Sequence, residues 1–485
     1  MSRVVVIGAG LGGLIAATRL ARAGIDVTLL AKGLGGLPLS PGVIDVWGYD
    51  ESAPTTSSNP ADTGGRSHGL VPDPLARVQV APPGHPYAVI GADAVREGLA
   101  FVRELCGDLL VGDEQENVLL PTAVGAMRPT CLAQPSMLAG RCVDGARFAI
   151  VGLKRLKDFH AALIAGNLAR TPLPGGGRVQ ARPLVVDLPA RDGEPDSSAL
   201  TYARAFDTPG FPLRLAATIR PLLEDGETVG LPAMLGLRPG AWRALEDELG
   251  HPVFEIPLPP PSVPGLRLND ALTAAAKAAG VRFVQGSRAT TARTENARVL
   301  SVVLEETGHP QEFAADAFVL ATGGFESGAL AVDSYGEVTE TLFALPVSSP
   351  DAGLGNAGER LKETVRAQFP RGPSGLAGGI PQLRVTAPLP DAQNARDDAP
   401  VPVTSPASVD LFTADPNAPQ PLFAMGVQVD DNMRPRGEDG AIVYDNLYAV
   451  AGILAGAQRW REKSGEGIAL GSAVKAADEI ARSLA

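Results

Sequence analysis

The sequence predicts an α/β protein, because three glycine-marked turns each follow a short run of buried β-formers. Val4 to Ile7 lead into Gly8-Ala9-Gly10-Leu11-Gly12-Gly13. Phe318 to Leu320 lead into Ala321-Thr322-Gly323-Gly324, and Leu447 to Val450 end at Ala451-Gly452. Four or so consecutive apolar β-formers suit a parallel strand buried on both faces. A strand, a G-x-G-x-x-G turn and then a helix form the phosphate-binding opening of a Rossmann-type FAD/NAD(P)-binding domain. The domain opens at the N-terminus and closes near the C-terminus, so a mixed α/β second domain is inserted between. We expect residues 1–75 and 310–485 to form the flavin- or nucleotide-binding domain and 76–309 the inserted substrate, cap or partner-binding domain.

The first unit runs strand, loop, helix, strand. Leu14 to Ala23 reads as a helix, rich in Ala, Leu and Arg and stopped by Gly24, and Val27 to Leu30 as the second buried strand. In the loop, Gly8 permits the tight turn, Gly10 lets a phosphate approach the backbone, and Gly13 lets helix and strand pack closely, with Gly12 a further candidate cofactor contact. The helix start adds unpaired N–H groups and partial positive charge, which suit a phosphate.

Dinucleotide sites usually end the second strand in Asp or Glu, to hold the ribose hydroxyls. Here Ala31 and Lys32 stand there. Lys32 would tolerate a further phosphate where a carboxylate would repel it. The site therefore suits FMN or NADP, or FAD held by other contacts. Ser40-Pro41-Gly42-Val43-Ile44-Asp45 then offers a backbone that runs close beneath a ring, with Ser40 and Gly42 as candidate contacts. Thr322 and Gly323 mark the return to the nucleotide domain. Gly452 would lie beside a ribityl chain, followed by Ile453 where an acid is usual. Gly465 and Gly467, in Ser464-Gly465-Glu466-Gly467, open the last helix, about Ile468 to Leu484. That helix start would stabilise negative charge on a reduced flavin.

Elsewhere the chain reads as short elements and turns. Helices are expected over about Ala92 to Leu105, Lys157 to Ala169 and Leu268 to Ala279, with a strand over Phe148 to Leu153. Five prolines between Pro257 and Pro264 make a stiff extended connector. Segments near 51–78 and 385–420 lose apolar periodicity and are rich in Ser, Pro, Asp, Ala or Gly, so they read as loop insertions.

Composition narrows the function. The 485 residues carry a net charge of -12, which argues against nucleic-acid binding. Cys106, Cys131 and Cys142 lack metal-ligand spacing, and so do the five histidines, so no metal site is expected. The cysteines read as buried structural thiols in a reducing cytoplasm. No apolar run reaches the ~18–20 residues that span a bilayer, so no transmembrane segment is expected.

The three glycine turns together resemble the fumarate reductase and succinate dehydrogenase-like flavoproteins. Further segments resemble a narrower family: Ser40 to Asp45, His85-Pro86-Tyr87 with Ile90-Gly91, Val151-Gly152-Leu153 with Asp158-Phe159, Leu231-Pro232-Ala233, Pro260 to Leu268, and Met425-Gly426-Val427 with Met433-Arg434-Pro435. That family is the B subunit of anaerobic glycerol-3-phosphate dehydrogenase. The resemblance implies an FMN protein (FAD the alternative) working beside an FAD-containing A subunit and an iron–sulfur C subunit. The complex it implies oxidises sn-glycerol 3-phosphate to dihydroxyacetone phosphate and passes electrons to a quinone. This chain would be cytoplasmic, peripheral on the inner face of the membrane through a partner. His85 is then a candidate base for the substrate hydroxyl. Arg128, Arg267 and Arg434 are candidates for its phosphate, each with the alternative of a structural ion pair. An independent fumarate reductase-like flavoenzyme and a non-catalytic assembly subunit are the competing readings.

Overall fold

In the computed structural model, residues 2–50, 69–305, 309–334, 336–348, 412 and 419–485 are described. The expected insertion at 385–420 lies outside them apart from residues 412, 419 and 420, and the one near 51–78 is described only from Gly69 onward. There, Asp73 caps a helix over Pro74–Gln79.

Strand β1 (Arg3–Ile7) enters helix α1 (Leu11–Arg22), which leads to β2 (Asp26–Ala31). Helix α1 starts three residues before the sequence-based boundary, because the glycine loop itself forms its first turn. Helix α2 (Ala92–Cys106) follows. A second body then contributes strands β3 (Arg147–Leu153), β4 (Gln180–Val186), β5 (Thr228–Pro232) and β6 (Val253–Ile256), in the order β4-β3-β5-β6. All its pairs are parallel. Its core packs Phe148 against Phe254, with ring centroids 4.9 Å apart, and Tyr202 edge-on to Phe211. The helix expected over Lys157 to Ala169 begins only at Ala161, since Lys154 to Asp158 form turns.

Helix α3 (Val263–Ala278) and strand β7 (Arg282–Gln285) lead back towards the first body. Strands β8 (Ala317–Leu320) and β9 (Leu447–Ala449) and the long helix α4 (Gly465–Leu484) complete it. Its sheet runs β7-β2-β1-β8-β9, every pair parallel, with Val5 between Thr28 and Phe318. Segment 76–309 thus feeds both bodies: β7 is an edge of the nucleotide sheet, and α2 packs on α4. The parallel order brings the carboxyl ends of β1, β2, β8 and β9 to one edge, where β1 turns to neighbours on either side. Crevices at such edges are where α/β sheets bind ligands.

Helix α3 starts at Val263, not near Leu268. Ser262 caps it by accepting the Gly265 N–H at 3.1 Å. Pro264 is tolerated there because the first turn of a helix needs no N–H donor. The proline connector is therefore shorter than expected, and its end is already helix. The three cysteines are free thiols, two of them buried. Among the described residues no helix is long and apolar enough to cross a membrane.

Candidate flavin site

The glycine loop is shaped by close backbone contacts. Gly8 has φ +119°, and a Cβ on it would stand 2.2 Å from the Ala321 carbonyl oxygen. A Cβ on Gly12 would stand 2.8 Å from the Ala451 Cβ. Gly10 differs: nothing lies within 4 Å of a Cβ placed there. Gly8, Gly12 and Gly13 thus close the loop onto β8 and the β9 turn, while Gly10 faces open space at the start of α1.

The neighbouring turns complete a cradle. Gly323, with φ +82°, stands 3.2 Å (Cα) from a Cβ built on Gly452, so the β8 and β9 turns touch. The Ala451 N–H donates to the Ser472 Oγ of α4 at 2.9 Å. The Thr322 hydroxyl oxygen is buried and has no hydrogen-bond partner among the described residues. Buried polar atoms ordinarily have partners. An orphaned hydroxyl, an open Gly10 and a free helix start are what a bound phosphate-bearing cofactor would satisfy, so these residues fit a flavin.

The segment after β2 is anchored from α3. Ser40 caps its own turn, its Oγ donating to Leu37 O and accepting the Gly42 N–H. Gly42, with φ +73°, leaves no room for a Cβ, which would stand 2.4 Å from the Pro264 carbonyl carbon. Gly265 likewise packs against Leu37 O, and the Ser262 N–H donates to Pro38 O at 2.8 Å. The distinctive Pro-Ser-Val-Pro-Gly stretch thus holds the backbone of 37–42 in place. Lys32 is exposed at the end of β2, and Ala31 and Ile453 are buried.

Gly465 has ordinary space, its nearest neighbours being Arg459 carbons at 3.8 Å. Gly467 is a packing glycine. Its Cβ would meet the Tyr87 hydroxyl, which donates to the carbonyls of Val46 and Ser464.

The four candidate catalytic residues do not all converge: His85 and Arg128 both lie beside the start of α4, whereas Arg267 and Arg434 are held in ion pairs with Glu255 and Asp430. His85 caps a short helix. Its Nδ1 accepts the Tyr87 N–H, so Nε2 carries the proton and faces Glu462 Oε2 at 3.1 Å. Trp47 stacks on the ring at 4.6 Å, and the residue is buried. Both ring nitrogens are occupied. Burial pushes Glu462 up, but hydrogen bonds from His85, Ser464 and the Gln458 N–H hold it below the usual carboxylate range. Arg267 is buried and paired with Glu255 at 2.7 Å, with further bonds to Gly236 O and Gln134. Arg434 forks onto Asp430 of its own turn, at 3.0 and 2.8 Å. Arg128 donates to the buried Asp45 at 2.6 Å and lies near the start of α4, within electrostatic reach of Glu466.

Arg459 is not among the candidates that the sequence offers, yet it lies in the cradle. Its guanidinium donates to Gly452 O and lies 3.3 Å from a Cβ built on Gly324, at the junction of the β8 and β9 turns. Burial holds its pKa down, against Glu326, Glu462 and Glu466. It sits in Gly456-Ala457-Gln458-Arg459, between Gly452 and the last helix, and that placement is the one signal of it in the sequence.

A family model described as FAD binding domain matches residues 3–468. The chain belongs to the FAD binding domain family. It is a flavoprotein oxidoreductase by that membership, and FAD, held above as the alternative to FMN, is the flavin of the family. Among its relatives, the probable B subunit of anaerobic glycerol-3-phosphate dehydrogenase from Halobacterium salinarum is 30% identical over 100% of this chain and 98% of its own length. The B subunit of anaerobic glycerol-3-phosphate dehydrogenase from Pectobacterium atrosepticum is 27% identical, covering 98% of both. The narrower resemblance read from the motifs therefore holds along the whole chain. Among solved structures, a flavocytochrome c3 fumarate reductase in its open conformation aligns with TM-score 0.39 and 10% identity, over 99% of this chain and 78% of that one.

Proposed function

We propose that this chain is a flavin-bearing subunit of a quinone-linked glycerol-3-phosphate dehydrogenase, oxidising sn-glycerol 3-phosphate to dihydroxyacetone phosphate. The observation that carries the reading is the full-length similarity to relatives named for that enzyme, joined to a cradle fitted for a flavin. An FAD-containing A subunit and an iron–sulfur C subunit are the partners of this reading. They would carry electrons to the quinone and hold the chain at the inner face of the membrane.

When bound, the flavin supplies the two-electron acceptor. The residues of this chain hold it and arrange charge around it. Gly8 to Gly13 and the α1 start would take a phosphate, the 37–42 backbone would support the ring, and Thr322 would meet a polar edge. Arg459 and Lys463, on the turn before α4, supply positive charge suited to a phosphorylated substrate. In this reading Arg128, Arg267 and Arg434 support structure, because their guanidinium groups already pair with Asp45, Glu255 and Asp430. FMN is the reading favoured by Ala31 and Ile453, which replace both usual carboxylates; FAD is favoured by the family.

The test is to purify the chain, identify its chromophore by mass, and add sn-glycerol 3-phosphate anaerobically with and without an A-type subunit. Bleaching of the bound flavin supports the proposal. A flavin bleached by another small alcohol but never by glycerol 3-phosphate favours an independent flavoenzyme. A chain that holds no flavin leaves an assembly role.

A further inference from the structure

Arg459 differs from the other arginines named above in what it does not pair with. Arg128, Arg267 and Arg434 each hold a carboxylate, on Asp45, Glu255 and Asp430. Among the described residues Arg459 meets no carboxylate at ion-pair distance, and its one hydrogen bond runs from Nη1 to the Gly452 carbonyl. Most of its fork of N–H donors is therefore open. Burial pulls its pKa down, and the surrounding Glu326, Glu462 and Glu466 do not offset that pull. A cation removed from water in this way lacks a full counter-charge.

The side chain is placed in the cradle along its whole length. Its Cβ and Cδ lie 3.8 Å from a Cβ built on Gly465, so the stem follows the first residue of α4. Its Nη1 lies 3.6 Å from a Cβ built on Gly452, and its Nη2 lies 3.3 Å from one built on Gly324. The turn that carries it is held by Glu462. That carboxylate accepts the Gln458 N–H at 2.9 Å and the Ser464 hydroxyl at 2.7 Å, and meets His85 Nε2 at 3.1 Å. Glu462 is thus engaged elsewhere. Glu326 accepts the Gly324 N–H at 3.0 Å and borders the same space without pairing with Arg459. Lys463 donates to the Trp460 carbonyl at 2.5 Å. Ile453, where an acid is usual, adds no carboxylate to the Gly452 turn. The unpartnered Thr322 hydroxyl stands on the same turn as Gly323 and Gly324. An open cationic fork and an open hydroxyl therefore stand on adjoining turns.

We propose that Arg459 is the phosphate ligand of the cradle, its open fork pairing with a phosphate monoester. The proposal rests on the flavin-dependent reading above. A guanidinium fork matches two phosphate oxygens at once. A monoester carries close to two negative charges at neutral pH, which a single buried cation with no carboxylate partner is suited to meet. Two ligands of the proposed function carry that group: FMN through its terminal phosphate, and glycerol 3-phosphate through its own. In either case Arg459 determines specificity. It separates FMN from riboflavin, or glycerol 3-phosphate from glycerol. Arg128 is not equivalent, because it would have to release Asp45 to do the same.

The test is ligand binding to the full-length chain, for wild type, Arg459→Gln and Arg459→Lys. FMN and riboflavin are titrated into the apo chain by flavin fluorescence. Glycerol 3-phosphate and glycerol are titrated into the flavin-loaded chain by calorimetry. A loss of about ten- to hundredfold in FMN affinity in Arg459→Gln, with riboflavin unchanged, supports the proposal and assigns the phosphate to the flavin. The same loss for glycerol 3-phosphate, with FMN unchanged, supports it and assigns the phosphate to the substrate. Arg459→Lys keeps the charge but not the fork and is expected to recover part of either loss. Affinities unchanged, or lowered equally with and without the phosphate, overturn the proposal and leave the functional reading intact. A wild-type chain that binds neither FMN nor FAD overturns both. If Arg459→Gln fails to fold, the same ratios in Arg459→Lys decide: a lowered preference for the phosphorylated ligand supports the proposal, and an unchanged one overturns it.

Discussion

The carbonyl oxygen of Gly8 lies 1.9 Å from where a Cβ on Gly13 would stand. No side chain fits there, and the atom in the way is backbone. Gly10, three residues away, has no such neighbour. The two glycines therefore predict opposite phenotypes. Gly13→Ala must push α1 off β1 and is expected to cost about 3 kcal/mol or more, the upper range for a core overpacking change. Gly10→Ala is expected to melt within about 0.5 kcal/mol of wild type yet bind flavin at least tenfold more weakly. Thermal melts of the apo chain and flavin titrations check both.

Arg267 and Glu255 form a buried pair whose remaining bonds go to Gly236 and Gln134. Removing one partner strands the other charge. Arg267→Met is expected to destabilise by roughly 3–5 kcal/mol. Arg267→Met combined with Glu255→Leu is expected to recover part of that loss, since no charge is then left unpaired. Urea unfolding of the single and double variants measures the difference.

The elements around the cradle are legible in the sequence because their signals are local. Runs such as Val4 to Ile7 and glycines such as Gly8 mark buried strands and tight turns within a few residues. The boundaries that differ depend on partners distant in sequence. Helix α3 begins at Val263 because Ser262 caps it and the Leu37–Gly42 backbone packs against its first turn, neither of which periodicity shows. The membership of Arg282–Gln285 in the nucleotide sheet depends on pairing with Asp26–Ala31. At the site, arginines in motif segments are readable as cations but not as paired or open. Arg267 is saturated by Glu255, 12 residues earlier, and Arg434 by Asp430, whereas Arg459 faces the glycine turns.

Ala31 is buried at the end of β2, where a carboxylate would hold ribose hydroxyls. Restoring that acid should select the flavin that carries a second ribose. Ala31→Glu is expected to raise the preference for FAD over FMN by roughly tenfold, about the worth of one hydrogen bond to a charged group. Competition between the two flavins for the apo chain, read by fluorescence, gives the ratio. An unchanged ratio would mean that the adenosine half does not lie against β2.

Glu466 also makes a prediction about stability. Its pKa is raised from 4.5 to about 7 in the folded chain, by burial and by Asp45. The folded state therefore binds more protons than the unfolded state between those values, and stability falls as pH rises through that window. The contribution is fully present below about 4.5 and is lost by the time pH has passed 7. Glutamine stays neutral throughout. Glu466→Gln should thus be more stable than wild type at pH 8 by roughly 1–3 kcal/mol, and the advantage should shrink towards zero near pH 4.5. Urea unfolding of the two apo proteins across that range tests it. A stability difference that does not change with pH would place the Glu466 titration outside the window.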